Sequence, residues 1–274
     1  MTLTSRTLFA PVLVLVVAVP TQHVAADEPA EAASERAASL ARLTKVIESY
    51  TITMGEDRAE QLELVKAPVL RYSDPITSIT DGLVFVWTKA GRPEAAMAIH
   101  PGSLGRTWLE FKSLSNSPLR AERMGQPDWF PTGPGVDFKP VEDAPPPDKT
   151  APQRLSQMRS ILRSFSAAII DPQSGRQELR PLSQPVFRYS QPDRGIVDGA
   201  LFVFVRATNP ELLIMLEAQV VNDKPRWSYS PARFTGRECE LRFQDRPVWS
   251  HGVLRQPKDP AEPYFQLLEF IPEG

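Results

Sequence analysis

Pro68-Val69-Leu70-Arg71-Tyr72-Ser73 returns as Pro185-Val186-Phe187-Arg188-Tyr189-Ser190, an offset of 117 residues. Working outward at that offset, Pro75 meets Pro192, Asp81-Gly82 meets Asp198-Gly199, Phe85 meets Phe202, and Pro93-Glu94 meets Pro210-Glu211. Trp108 then pairs with Trp227 and Trp129 with Trp249, the offset growing to 119 and 120 as small loop insertions would make it. Chance does not align an Arg-Tyr-Ser, an Asp-Gly and two tryptophans in order. The chain reads as a tandem duplication.

Upstream, Leu40, Leu43, Val46, Ile47 and Tyr50 match Leu155, Met158, Ile161, Leu162 and Phe165 at offset 115. Steps of three and four place each set on one stripe of a helix. Thr150-Ala151-Pro152-Gln153 fits a capping box with proline just inside the start, and Asp27 and Pro29 form a looser version. The period then changes. Leu83 to Trp87 and Ala200 to Val205 are continuous apolar runs, each followed through Gly91-Arg92-Pro93 or Thr208-Asn209-Pro210 by another, and each pair reads as a hairpin. Gln244-Asp245-Arg246 is a tight turn, and Val136 to Val141 and Tyr264 to Ile271 are the expected final strands. The expected fold is α+β: a tandem duplication, each unit one N-terminal helix plus an antiparallel meander of about five strands, the two units sharing a core. The shared core follows from the central strands, which do not alternate apolar with polar and so need both faces covered. One helix covers one face. The second unit covers the other, by sheet-on-sheet packing or by joining one curved sheet.

Residues 1–26 read as a secretory signal peptide: Arg6, an apolar run from Leu8 to Val19, and small residues before a cut after Ala26. That run is shorter than the roughly 20 residues a membrane span needs. Unit 1 is then 27–139, a proline-rich linker 140–152, and unit 2 153–274. The expected location is periplasmic or extracellular. No cysteine stands near the cut, which excludes a lipid anchor, and no stable membrane insertion is expected after cleavage. The 274 residues include one cysteine, Cys239, so no internal disulfide exists. With 31 basic against 33 acidic side chains, nucleic acid is not the expected partner.

The elements Arg188-Tyr189-Ser190, Asp198-Gly199-Ala200-Leu201-Phe202 and Leu216-Glu217-Ala218 resemble those of a group of exported bacterial proteins with a tandem RYS…DGALF-type repeat. The resemblance covers most of the chain after the leader and implies export and repetition, without any activity. One helix against an antiparallel meander is also similar in architecture to cystatin-type folds, a likeness that carries no function.

Catalytic chemistry is sparse. After the leader only His100 and His251 remain, no H-E-x-x-H or C-x-x-C spacing occurs, and neither a metal nor a cofactor is expected. Pro101-Gly102-Ser103-Leu104-Gly105 has Pro101 where a nucleophile elbow needs glycine, and lies between strands. Arg71, Arg188, Asp81 and Asp198 are shared by both copies. The two arginines are either an anion clamp near the pseudo-twofold axis or, as features kept in both halves suggest, structural partners of the aspartates. His100 aligns with Glu217 and Glu110 with Tyr229. Where copies differ a unique site is sought, and His100 with Glu110 is the candidate base and orienting carboxylate, against a plain strand-end histidine. Arg154, Arg159 and Arg163 make the second helix basic, as a dock for an acidic partner or as a solvated face. Cys239, among acidic neighbours, reads as inert. The expected function is binding or assembly outside the cytoplasm, with an unknown protein or a small apolar ligand as partner. Alternatives are a carrier enclosing an apolar ligand in its curved sheet, and a hydrolase using dispersed carboxylates.

Overall fold

The computed structural model describes residues 30–57, 60–254 and 259–270. The expected leader and the helix start at Asp27 and Pro29 lie outside the described residues. Helix α1 (Ala30–Glu48) precedes β1 (Tyr50–Met54), β2 (Glu60–Gln61), β3 (Glu63–Leu64), β4 (Leu70–Asp74), β5 (Ile79–Lys89), β6 (Arg92–Pro101), β7 (Arg106–Ser113), β8 (Leu119–Arg123), β9 (Gln126–Trp129) and β10 (Lys139–Pro140). Helix α2 (Ala151–Leu162) precedes β11 (Phe165–Asp171), β12 (Gly175–Pro181), β13 (Phe187–Gln191), β14 (Ile196–Arg206), β15 (Asn209–Val221), β16 (Lys224–Arg233), β17 (Glu238–Phe243), β18 (Arg246–His251) and β19 (Tyr264–Phe270).

Both helices bury most of the stripe their spacing sets out, Leu43, Val46 and Ile47 of α1 and Met158, Ile161 and Leu162 of α2, while Leu40 and Leu155 at the start of each stripe are only half-buried. Tyr50 and Phe165 depart from the expected stripe. Each opens a strand, where its ring still joins the same core as its helix. The Thr150 hydroxyl bonds the Gln153 side chain and no backbone N–H, so the reciprocal capping pattern is not formed. Gln244 and Asp245 both adopt positive φ between β17 and β18, the geometry of a two-residue hairpin turn.

The fold is α+β with antiparallel sheets, but the meander of about five strands is too simple. Its central hairpins are β5–β6–β7 and β14–β15–β16, and further short strands flank them. In the second half one sheet runs β10-β16-β15-β14-β12-β11-β17-β18, with β13 also on β14. In the first half the path breaks between β2 and β3 into β2-β1-β8-β9 and β19-β7-β6-β5-β3, with β4 on β5. The final strands are exchanged. β10 pairs with β16 of the second half, and β19 pairs along seven residues with β7 of the first.

The non-alternating strands have both faces covered. Phe202 and Phe204 of β14 and Leu212, Ile214 and Leu216 of β15 pack with α2. Leu201, Val203, Val205, Leu213 and Met215 point the other way, into one cluster with Val84, Val86, Ala96 and Ala98 of the first half. The halves therefore meet sheet on sheet. Apolar burial of this kind contributes about 25 cal/mol per Å².

Candidate functional site

The four shared charges form two matching ties. Arg71 binds Asp81 through two nitrogens at 2.7 and 3.0 Å and donates to the Arg36 carbonyl of α1 at 2.7 Å. Arg188 binds Asp198 at 3.0 and 2.6 Å and donates to the Ala151 carbonyl of α2. Arg154 adds a bond to Asp198 at 2.8 Å, so part of the basic helix face is used within its own half. Each planar fork joins two strands and a helix, work an ammonium cannot copy.

Asp81-Gly82 and Asp198-Gly199 lie inside β5 and β14, not in turns as their composition suggests. Tyr72 sits opposite Gly82 and Tyr189 opposite Gly199, both beside a bulge. A Cβ on either glycine would fall 2.4 Å from the tyrosine ring. Glycine is required there because an aromatic ring occupies the place of a side chain.

Beyond these ties the two halves diverge. Arg92, buried on β6, reaches across to Glu217 of β15 at 2.9 Å and holds Glu94 at 3.0 Å. Tyr189 donates to the same Glu217 oxygen at 2.8 Å, and Arg194 binds Glu94 at 2.7 Å. Burial opposes the Arg92 charge, but the carboxylates of Glu217 and Glu94 outweigh it and raise its pKa. This is an ion-pair network across the sheet-on-sheet interface.

At the positions 117 residues away, Arg92 is matched by Asn209, Glu217 by His100, Glu94 by Glu211 and Tyr189 by Tyr72. Here the structure opens a cleft of about 330 Å³ between the halves, lined by His100, Trp108, Glu110, Glu211, Phe234 and Arg237 among others. Strand pairing brings the two candidate residues together: His100 lies opposite Trp108, and its Nε2 is 3.5 Å from Glu110 Oε1. The other Glu110 oxygen accepts from the Tyr264 hydroxyl and from Gln266 at 3.3 Å. His100 Nδ1 meets the Pro101 carbonyl at 3.0 Å.

Glu211 is held by Arg206, Asn209 and Arg237 at 3.2, 3.3 and 3.0 Å, all on Oε1. Burial raises its pKa against the pull of those arginines. The Tyr72 hydroxyl is buried and has no hydrogen-bond partner among the described residues. Burial, with the charges of Glu110, Glu211 and Asp74, pushes its pKa far up. It remains a proton donor.

Cys239 is a free buried thiol, pushed up to about 11 by burial, consistent with an inert residue. Ser103–Gly105 is a single 3-10 turn in the loop between β6 and β7. Residues missed by sequence reading are Arg92, Glu94, Glu217, Lys112 and Arg233, all buried charges. The available signal was a lone charge inside an apolar strand, as in Leu216-Glu217-Ala218. Among the described residues no helix is long and apolar enough to cross a membrane. Comparisons with protein-family models, curated proteins and solved structures give no match.

Proposed function

We propose that this is an exported, non-catalytic binding protein, periplasmic or extracellular and without a lipid anchor, whose ligand site is the cleft at His100 and Glu110. The observation carrying this reading is the divergence of two matched places at the interface, one sealed by Arg92 and one left open. Replacing a glutamate by His100 deprives Tyr72 of the acceptor that Tyr189 has. An unpaired buried hydroxyl costs about 1–3 kcal/mol, the kind of local violation that functional sites carry. The duplication itself is part of the reading. It is supported by the paired Arg–Asp ties, the matched Tyr–Gly contacts and the reciprocal placement of β10 and β19.

The sealed place indicates the ligand's chemistry, because a guanidinium fills it. In the cleft, Glu110 has no lysine or arginine within ion-pair distance among the described residues, and Trp108 and Phe234 offer apolar walls. The ligand presents an ammonium or guanidinium group to Glu110 and lays an apolar stem against those rings. Agmatine is a suitable probe, with the Trp108 indole N–H followed by NMR. It shifts that signal in the wild type and not in Glu110→Gln. Agmatine that leaves the wild-type signal unmoved refutes the site.

A second reading, hydrolysis by dispersed carboxylates, draws on one fact: Glu110 and Glu211 line the same cleft. Glu211 already accepts three donors on one oxygen, which suits it to structure more than to proton transfer. Turnover of aryl glycosides, lost in Glu110→Gln, would favour catalysis. The apolar-carrier reading is less favoured, since Phe202, Phe204, Leu212 and Ile214 are fully buried in the core that packs on α2 and leave no ligand space within the sheet itself.

A further inference from the structure

A separate cavity of about 230 Å³ lies farther along the same face of β7. Alternation along the strand sets Lys112 on the side that carries Glu110, and Tyr264, whose hydroxyl reaches Glu110, also lines the new cavity. The space equals several waters at about 30 Å³ each.

Its deep part is basic. Lys112 and Arg233 line it with exposures of only 4% and 8%, whereas the lining acids Asp137 and Glu262 are exposed. Among the described residues the Lys112 amine makes no hydrogen bond or ion pair. Arg233 donates only to the carbonyls of Thr235 and Arg237, at 2.9 and 2.8 Å, through Nε and Nη2. Two buried cations facing one cavity without a carboxylate on either is an arrangement proteins ordinarily avoid. An anion placed between them relieves it.

We propose that this cavity binds a small organic carboxylate, its oxygens shared between the Lys112 ammonium and Arg233 Nη1. Trp249, Leu254 and Pro263 line the remainder and suit a short apolar tail.

The electrostatics are consistent with this. Burial first, and then the Arg233 charge, lower Lys112 to about 7, against smaller opposing effects of Cys239 and Glu262. Of the other groups facing it, Cys239 stays a thiol at about 11, burial holds Tyr264 protonated, and burial with the Arg233 and Lys112 charges lowers His251. Arg233, Asp137 and Glu262 are the other charged side chains that line the cavity. With Lys112 at about 7, a carboxylate binds its protonated form.

The test is calorimetric titration of the full chain with propionate at about pH 6.5 and about pH 8.5, where ordinary carboxylates are ionised throughout. With an amine titrating at about 7, affinity falls roughly twentyfold between the two as the competent fraction shrinks. Lys112→Met keeps the volume, removes a buried charge, and melts no lower than wild type at neutral pH, so its loss of propionate binding is not unfolding. Three results overturn the proposal: equal affinity at both pH values, undiminished binding by Lys112→Met, or no binding by about 50 mM, well beyond a millimolar site.

Discussion

The Tyr189 hydroxyl lies 2.8 Å from Glu217 Oε1 and donates to it. The same carboxylate oxygen accepts from Arg92 Nε at 2.9 Å, so one buried acceptor joins a tyrosine of the second half to an arginine of the first. Tyr72 stands at the matched position, where the counterpart of that glutamate is His100, and keeps its proton unshared. The sealed and open places thus differ chiefly at two positions, His100 for Glu217 and Asn209 for Arg92.

Rebuilding the sealed arrangement in the cleft is therefore a direct test. His100→Glu alone places a second carboxylate beside Glu110 and lowers stability. Asn209→Arg alone adds a cation to a site already holding Arg206 and Arg237. Together they supply Tyr72 with an acceptor and that acceptor with a guanidinium. A double-mutant cycle by chemical denaturation should give a favourable coupling of about 1–3 kcal/mol, with loss of agmatine binding. Additive single effects would show that the two places are not equivalent.

Arg188→Ala leaves Asp198 with Arg154 alone and frees β13 from the first turn of α2. The expected cost is about 1–3 kcal/mol, a fall in melting temperature of about 2–4 °C per kcal/mol for a chain this long. Arg188→Lys also destabilises, because one ammonium cannot span a carboxylate and a carbonyl as the fork does. Agmatine binding is unchanged in both. Unaltered melting with abolished binding would instead make the arginine pair the site.

Gly82→Ala drives a methyl group into the Tyr72 ring and should cost about 1–3 kcal/mol or more by overpacking. Because the Tyr72 hydroxyl bonds nothing among the described residues, Tyr72→Leu loses little beyond ring contacts. The pair Gly82→Ala with Tyr72→Leu should therefore recover most of the loss in a thermal melt. A double variant no better than the sum of its parts would place the clash elsewhere.

The second half should not fold alone. A fragment starting at Lys149 would expose Leu201, Val203, Val205, Leu213 and Met215 to water and lack the β10 edge on β16. Its own β19 would have no β7 to join. Circular dichroism and sedimentation are expected to show an aggregated or non-cooperative species. A monomeric fragment with a sharp melting transition would mean that the interface is not needed for the fold.

Legibility followed the range of the interaction concerned. The helix stripes were readable, since residues three and four apart share a face whatever surrounds them. The two-sided burial of Leu83–Trp87 and Ala200–Val205 was readable for the same reason: a strand without alternation has no wet face. Even the Arg–Asp ties could be anticipated, as partners 10 residues apart on neighbouring strands. The role of Gly82 and Gly199 was not, because an Asp-Gly pair looks alike in a turn and in a strand until the ring above it is known.

His100 and Glu110 were singled out because they broke the match between the halves, and strand register then set them 3.5 Å apart. By itself the sequence determined helices, central hairpins, the need for a covered second face and the places where the halves differ, all consequences of local spacing and of self-comparison. Only the tertiary structure decided that the final strands change partners, that Arg92 seals one interface site while its counterpart stays open, and that Lys112 meets Arg233 in a cavity. Those outcomes depend on which residues from distant parts of the chain share a low-dielectric space. There, one unpaired charge or hydroxyl outweighs any local preference.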